Sequence, residues 1–290
     1  MFDRITRKTA FYAVGGGVGA GVFEVVAELL RLNERGYESN IHLVAGMALW
    51  FGLVALGISL GLVAAQHIYL RQSPRIETLL KAVGIGLVSG AIAGGVAQIL
   101  FGSLASGLVG LVRFVFQSFC WGLAGLGLGF GVSMFVPNYP RGRAILAGFA
   151  GGVIGGAVFL LLGIFGVMSE EVARVIGIAI LGLAIGLTVS AVEEMLREAW
   201  LTVIWGKNET TSVALGEHPV ILGSAPDATV RLPRSKFPPV TAVLTVQNGK
   251  VMMDNKLSNQ TVALPNGSKI NIGKITIVIN TRKGGIDRRA

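Results

Sequence analysis

The chain has 290 residues, 52% of them hydrophobic and only 14% charged, with 42 glycines, one cysteine and a formal net charge of +9. A soluble domain carries roughly 25% charged residues, so a wholly soluble globular chain is excluded, and so is a disordered one. A single cysteine excludes a disulfide framework.

The charge is unevenly shared. Residues 1–206 carry 13 basic against 11 acidic side chains, whereas residues 207–290 carry 12 against 5. The composition changes near Trp205-Gly206-Lys207-Asn208, from glycine-rich apolar runs to short alternating ones.

A membrane-spanning helix needs about 20 predominantly apolar residues, and six stretches meet that length: 9–30, 41–69, 80–101, 115–137, 143–167 and 174–200. The first lacks a small-residue cleavage site at a signal-peptide distance and shares the repeat described below, so it is expected to stay in the chain. Ser73-Pro74 and the pair Pro137 and Pro140 mark breaks, and residues 103–114 read as an interfacial segment or part of a longer bent helix. Arg4, Arg7, Lys8, Arg71, Arg75, Lys81, Arg141, Arg143 and Arg197 fall on one side of such a bundle, against Arg31, Arg35, Arg113 and Arg174 on the other. The basic excess predicts that both termini are cytoplasmic.

Self-comparison gives a repeat. The second, fourth and sixth spans share the spacing G-x3-L-G-x3-G: Gly52, Leu56, Gly57, Gly61; Gly122, Leu126, Gly127, Gly131; and Gly177, Leu181, Gly182, Gly186. The odd spans share a GxxxG step at Gly17/Gly21, Gly90/Gly94 and Gly152/Gly156. Small residues at this spacing let helix backbones approach in lipid, within one chain or between copies in a homo-oligomer. Three helical hairpins with pseudo-threefold character are expected.

Ionisable groups inside such spans are costly and default to a functional hypothesis. Glu24 and Glu28 share a face of the first helix, and Gln98 lies in the third span. Glu28 is expected to pair with Arg31, and Glu193 and Glu194 to reach the cytoplasmic boundary. Glu24 alone lies deep, as a buried hydrogen-bonding group or an ion-path residue. His42, His67 and His218 are scattered, without metal-ligand spacing, and Cys120 sits in an apolar helix. No catalytic, metal or cofactor site follows. Ser169 before Glu170 and Glu171 reads as the N-cap of the sixth helix.

The tail reads as β-strands, with runs such as Ala242-Val243-Leu244-Thr245-Val246 and hairpin pairs Asn248-Gly249 and Asn266-Gly267. Its cations Arg231, Arg234 and Lys236 cluster, and Arg282, Lys283, Arg288 and Arg289 form a basic end at 282–290. Phe237 is the only nearby aromatic side chain, so anionic lipid, rather than nucleic acid, is the expected counterpart.

Residues 200–281 resemble a forkhead-associated (FHA) domain. The resemblance runs through Trp200-Leu201-Thr202-Val203, Val220-Ile221-Leu222-Gly223-Ser224 to Pro233, Leu257-Ser258-Asn259-Gln260-Thr261, and Ile272-Gly273-Lys274-Ile275. It implies an eleven-strand sandwich that reads phosphothreonine peptides. The stretch from Glu193 to Leu201 is similar to the junction in bacterial membrane proteins that put glycine-rich helices before an FHA domain, which implies a bacterial inner-membrane location. The family's phosphate-binding arginine aligns with Ser224, its serine and histidine with Pro238 and Thr241, and only Asn259 is retained. A serine lacks the planar fork that grips a phosphate. The residues to examine are therefore Ser224, Arg231, Arg234, Lys236, Thr241, Ser258 and Asn259. The expectation is a six-helix transmembrane domain (1–199) presenting a degenerate FHA-like sandwich to a cytoplasmic protein partner, phosphorylated or not, without enzymatic activity. The rivals are a channel or transporter regulated by the sandwich, and a phosphopeptide receptor with a relocated basic site.

Overall fold

The computed structural model describes residues 2–30, 40–104, 107–136, 138–165, 169–206, 209–216, 218–234, 236–247, 249–273 and 275–282. Six helices come first: α1 (Phe2–Leu29), α2 (Asn40–Tyr69), α3 (Ile76–Leu104), α4 (Gly110–Phe135), α5 (Arg141–Phe165) and α6 (Glu170–Leu196). All six are long and apolar enough to cross a membrane, by length and composition. The stretch between the third and fourth spans is a break: α4 begins at Gly110, whose φ of +55° suits glycine.

Each helix packs on its neighbours in sequence, α6 returns to α1, and α2, α4 and α6 also meet one another. The ring is therefore closed, with the even helices on the inside. They bury Val54, Ile58 and Leu62 of α2, Leu128 and Val132 of α4, and Ile178, Ile185 and Val189 of α6. Val88, Ile92 and Val96 of α3 and Leu146 and Ile154 of α5 are exposed.

Glycine sets the helix spacing. A Cβ on Gly16 would strike the Gly182 carbonyl, and one on Gly57 or Gly61 would strike Gly19 or Gly15. The other glycines of the two motifs also meet a neighbouring helix. Gly17 and Gly21 face Ala179, Gly52 faces Leu87, and Gly90 and Gly94 face Phe51. Gly122 faces Phe149, Gly127 Ser89, Gly131 Ile85, Gly152 and Gly156 Trp121, Gly177 Phe159, and Gly186 Tyr12. Threefold equivalence fails in α6. In α2 and α4 the first motif glycine faces the following helix and the last two face the preceding one, whereas in α6 the first faces α5 and the last two face α1. Helix α6 thus closes the ring on α1 through the two glycines that in α2 and α4 face the preceding helix.

After the helices come nine strands: β1 (Ala199–Gly206), β2 (Glu209–Leu215), β3 (Val220–Gly223), β4 (Val230–Arg231), β5 (Ala242–Gln247), β6 (Lys250–Asn255), β7 (Gln260–Leu264), β8 (Lys269–Ile272) and β9 (Ile275–Thr281). They form a four-stranded sheet, β2-β1-β9-β8, and a five-stranded sheet, β4-β3-β5-β6-β7. Leu201, Val203, Ile277 and Ile279 of the first pack with Val220, Leu222, Leu244 and Val251 of the second in one core. The resemblance implied eleven strands. Among the described residues there are nine, because short turns connect β6 to β7, β7 to β8 and β8 to β9 and leave no length for another pair.

Candidate interaction site

The ends of β3, β5 and β6 bring most of the candidate residues of the sandwich together. Ser224 follows β3, and its N–H donates to Pro238 O at 3.0 Å, while the Ala225 N–H donates to Pro239 O at 3.0 Å. A Cβ on Gly223 would collide with that Pro239 carbonyl, so the 224–229 and 232–241 loops can close only over glycine. Thr241 N–H donates to Leu222 O, and Lys256 N–H donates to Thr241 O, which ties in the 256–259 turn. Arg231 pairs beside Gly223 in the parallel β3–β4 ladder.

Accessibility divides these residues. Ser224 and Thr241 are buried, and the Thr241 hydroxyl has no hydrogen-bond partner among the described residues. Arg231 is half-buried, whereas Arg234, Lys236, Lys256, Ser258 and Asn259 are exposed. Asn259 has a φ of +55°, a conformation asparagine tolerates, and the Asn255 side chain caps the same turn through the Leu257 N–H. The Lys256 ammonium is held by Asp254 at 2.5 Å. This end of the sandwich therefore offers cations from the loops, while the serine at the arginine position lies beneath the surface.

The sandwich is docked on the bundle through the β2 edge and the far end of the 224–229 loop, largely by residues that sequence reasoning missed. Strand β2 is a sheet edge, and Ser212 and Ala214 point their free backbone groups outward. The Ser212 N–H donates to Tyr69 Oη at 2.8 Å, and Asn138 Nδ2 donates to Ala214 O at 3.2 Å and His218 O at 3.1 Å. Asn138 Oδ1 accepts the His218 N–H at 2.9 Å. Gln72 Nε2 donates to the carbonyls of Ala228 and Thr229 at 2.9 and 2.8 Å. Arg71 pairs with Glu209 and lies over the Trp205 ring, and Arg197 Nη1 donates to Ser212 Oγ at 2.6 Å. Arg282 binds the Met195 carbonyl; residues 283–290 lie outside the described residues. The only sequence signals here were the proline-flanked Asn138 and the loop arginines.

Two expectations about polar residues in the helices change, and Glu28 gains a partner that was not expected. Glu28 pairs with Arg174 of α6 through two hydrogen bonds of 2.6 and 3.2 Å; Arg31 lies outside the described residues. Glu193 and Glu194 are both buried, because the docked sandwich covers this end of the bundle. Glu193 accepts from Lys8 Nζ of α1 at 2.5 Å. Ser169 is the N-cap residue of α6, yet its side chain makes no cap hydrogen bond. Glu24 is fully buried and accepts the Trp50 indole N–H at 2.8 Å, and Gln98 is half-buried. Trp50, Phe51, Trp121 and Phe159 pack edge-on or tilted beyond it, with ring centroids 4.8–5.8 Å apart, between α2, α4 and α5. Between α4 and α5, Tyr139 donates to Val189 O at 3.0 Å, and burial pushes its phenol above the ordinary range. Among the described residues no three His, Cys, Asp or Glu side chains gather as a metal site.

No protein-family model matches the chain, and no curated protein matches it. Among solved structures it is similar to one from a structural and functional analysis of phosphothreonine-dependent FHA domain interactions. That match has 19% identity over 29% of this chain and 97% of the other, with a TM-score of 0.25. It is also similar to Mycobacterium tuberculosis EmbR in complex with a low affinity phosphopeptide, with 12% identity over 96% of this chain and 72% of that one, and a TM-score of 0.25. Both overlaps are weak, and the nine strands define the sandwich by themselves.

Proposed function

We propose that the chain is a membrane-embedded anchor that holds an FHA-like sandwich at the cytoplasmic surface and recruits a protein partner through its 232–241 and 256–259 loops. The observation that carries the reading is the fixed docking of β2 and the 224–229 loop on a bundle of six apolar helices, which leaves Arg234, Lys236, Ser258 and Asn259 of the other two loops exposed. The outward apolar residues of α3 and α5 suit lipid. The packed aromatic side chains between α2, α4 and α5 argue for an anchor over a conducting path. Recognition is independent of phosphate in this reading, since Ser224 is buried and carries no guanidinium.

Two measurements test it. A Lys250→Cys variant in a Cys120→Ala background should react with an impermeant maleimide only after cells are opened; labelling of intact cells overturns the topology. Full-length protein in nanodiscs should capture a cytoplasmic partner from a lysate, and paired peptide arrays should bind with less than about threefold preference for phosphothreonine. A strong phosphate preference would instead support a relocated basic site around Arg231, Arg234 and Lys236.

A further inference from the structure

A polar cleft opens where α1, α2 and the β1–β2 hairpin meet. It has a volume of about 30 Å³ and is lined by Arg7 and Phe11 of α1, Ile68 and Arg71 after the α2 core, and Trp205 and Thr210 of the sandwich. Two guanidinium groups converge on it. Arg71 is oriented by the Trp205 ring, 5.6 Å from its centroid, and shares the Glu209 carboxylate. Arg7 is exposed and has no ion-pair partner among the described residues, so the described side chains that line the cleft, Arg7, Arg71 and Glu209, sum to one positive charge. Thr210 also lines it, with no side-chain hydrogen bond among those residues, while the Trp205 N–H is committed to Thr211 Oγ1 at 2.9 Å.

Convergent donors around a small opening with net positive charge suit a singly charged phosphate ester. The surroundings select its source. Arg7, Phe11, Val14 and Val18 recur at helical spacing on one face of α1, and Val14 and Val18 are each 60% exposed. Ile68 beside them on α2 is 62% exposed. An apolar track thus leads from the cationic cleft along the helices, as a headgroup followed by acyl chains requires. We propose that this cleft binds the phosphodiester headgroup of one anionic phospholipid, which bridges bundle and sandwich: Arg7 and Thr210 hold the phosphate, Arg71 adds charge from the side, and the chains lie against Phe11, Val14 and Ile68. The inference rests on the membrane reading above.

The test uses the full chain in detergent, with native mass spectrometry reading retention of phosphatidylglycerol, phosphatidylcholine and water-soluble glycerol phosphate. One phosphatidylglycerol per chain should be retained about tenfold more tightly than phosphatidylcholine. Arg7→Gln should remove that preference, Thr210→Val should reduce it about threefold, and both variants should keep the unfolding temperature of the parent. Equal retention of the two lipids, or a preference unchanged in Arg7→Gln, overturns the site. Glycerol phosphate that binds as tightly and displaces the lipid overturns the lipid assignment in favour of a soluble phosphate ligand. Flotation of the parent with phosphatidylcholine liposomes separates the two claims: a chain that floats but shows no preference loses only the cleft, and one that does not float loses the membrane reading with it.

Discussion

The Tyr69 hydroxyl, at the last residue of α2, accepts the backbone N–H of Ser212 on the free edge of β2 at 2.8 Å. An open sheet edge is a template for pairing with other chains, and here the bundle covers it with a side chain in place of another strand. Asn138 does the same for Ala214 two residues along, which is the parity at which an antiparallel strand turns its backbone groups outward.

Tyr69→Phe should leave the buried Ser212 N–H unsatisfied at a cost of about 1–3 kcal/mol. The Ser212 amide should then exchange with solvent roughly tenfold faster or more, while amides of β5 and β6 keep their rates. Uniform acceleration across both sheets would mean that Tyr69 supports the whole sandwich and not this edge.

The Lys8–Glu193 pair is buried on both sides. Removing one partner strands the other charge, so Lys8→Met or Glu193→Gln alone should destabilise the bundle by about 3–5 kcal/mol. The double variant should recover most of that loss, because two apolar or neutral groups need no compensation. Thermal unfolding in detergent reads the difference, and additive losses would show that the two residues act separately.

Two glycines of similar helical context should respond in opposite directions. Gly182→Ala drives a methyl into the Gly16 backbone carbonyl and should cost about 1–3 kcal/mol. A Cβ on Gly84 of α3 meets nothing within 4 Å, so Gly84→Ala should be neutral or stabilising by about 0.5–1 kcal/mol. Unfolding temperatures of the pair check whether close approach, rather than glycine content, sets the packing.

Tyr139 titrates above its ordinary range, chiefly through burial, with Glu193 adding to the effect and Arg143 opposing it. The unfolded chain gives up the phenolic proton first. The contribution to stability is therefore complete below about pH 10 and is lost as the pH rises from there towards the folded-state value. Tyr139→Phe should be less stable near neutrality, having lost the bond to Val189, yet its unfolding temperature should fall less steeply above pH 10.

The six helices were legible because a long apolar run has few other solutions, and each observed helix overlaps the stretch expected for it. The β5–β6 hairpin was legible for a local reason too, with Gly249 at a φ of +71°, whereas the Asn266-Gly267 turn, expected as a second hairpin, carries the chain from β7 in one sheet to β8 in the other. The candidate site was legible in part. Order and spacing pointed to the loops that meet at Ser224 and Thr241, but not to the burial of both side chains, which follows from loop closure over Gly223. Arg174 as a partner of Glu28 was not legible, because it lies 146 residues away and local spacing does not reach it.

Local chemistry in the chain thus determined where helices and strands form, since hydropathy, glycine spacing and turn residues act over a few positions. Tertiary structure alone decided which end of the bundle the sandwich covers, that Glu193 meets Lys8 across 185 residues, and that a sheet edge is closed by Tyr69 and Asn138. Those contacts join groups whose proximity depends on the closure of the whole ring, and no periodicity in the sequence encodes it.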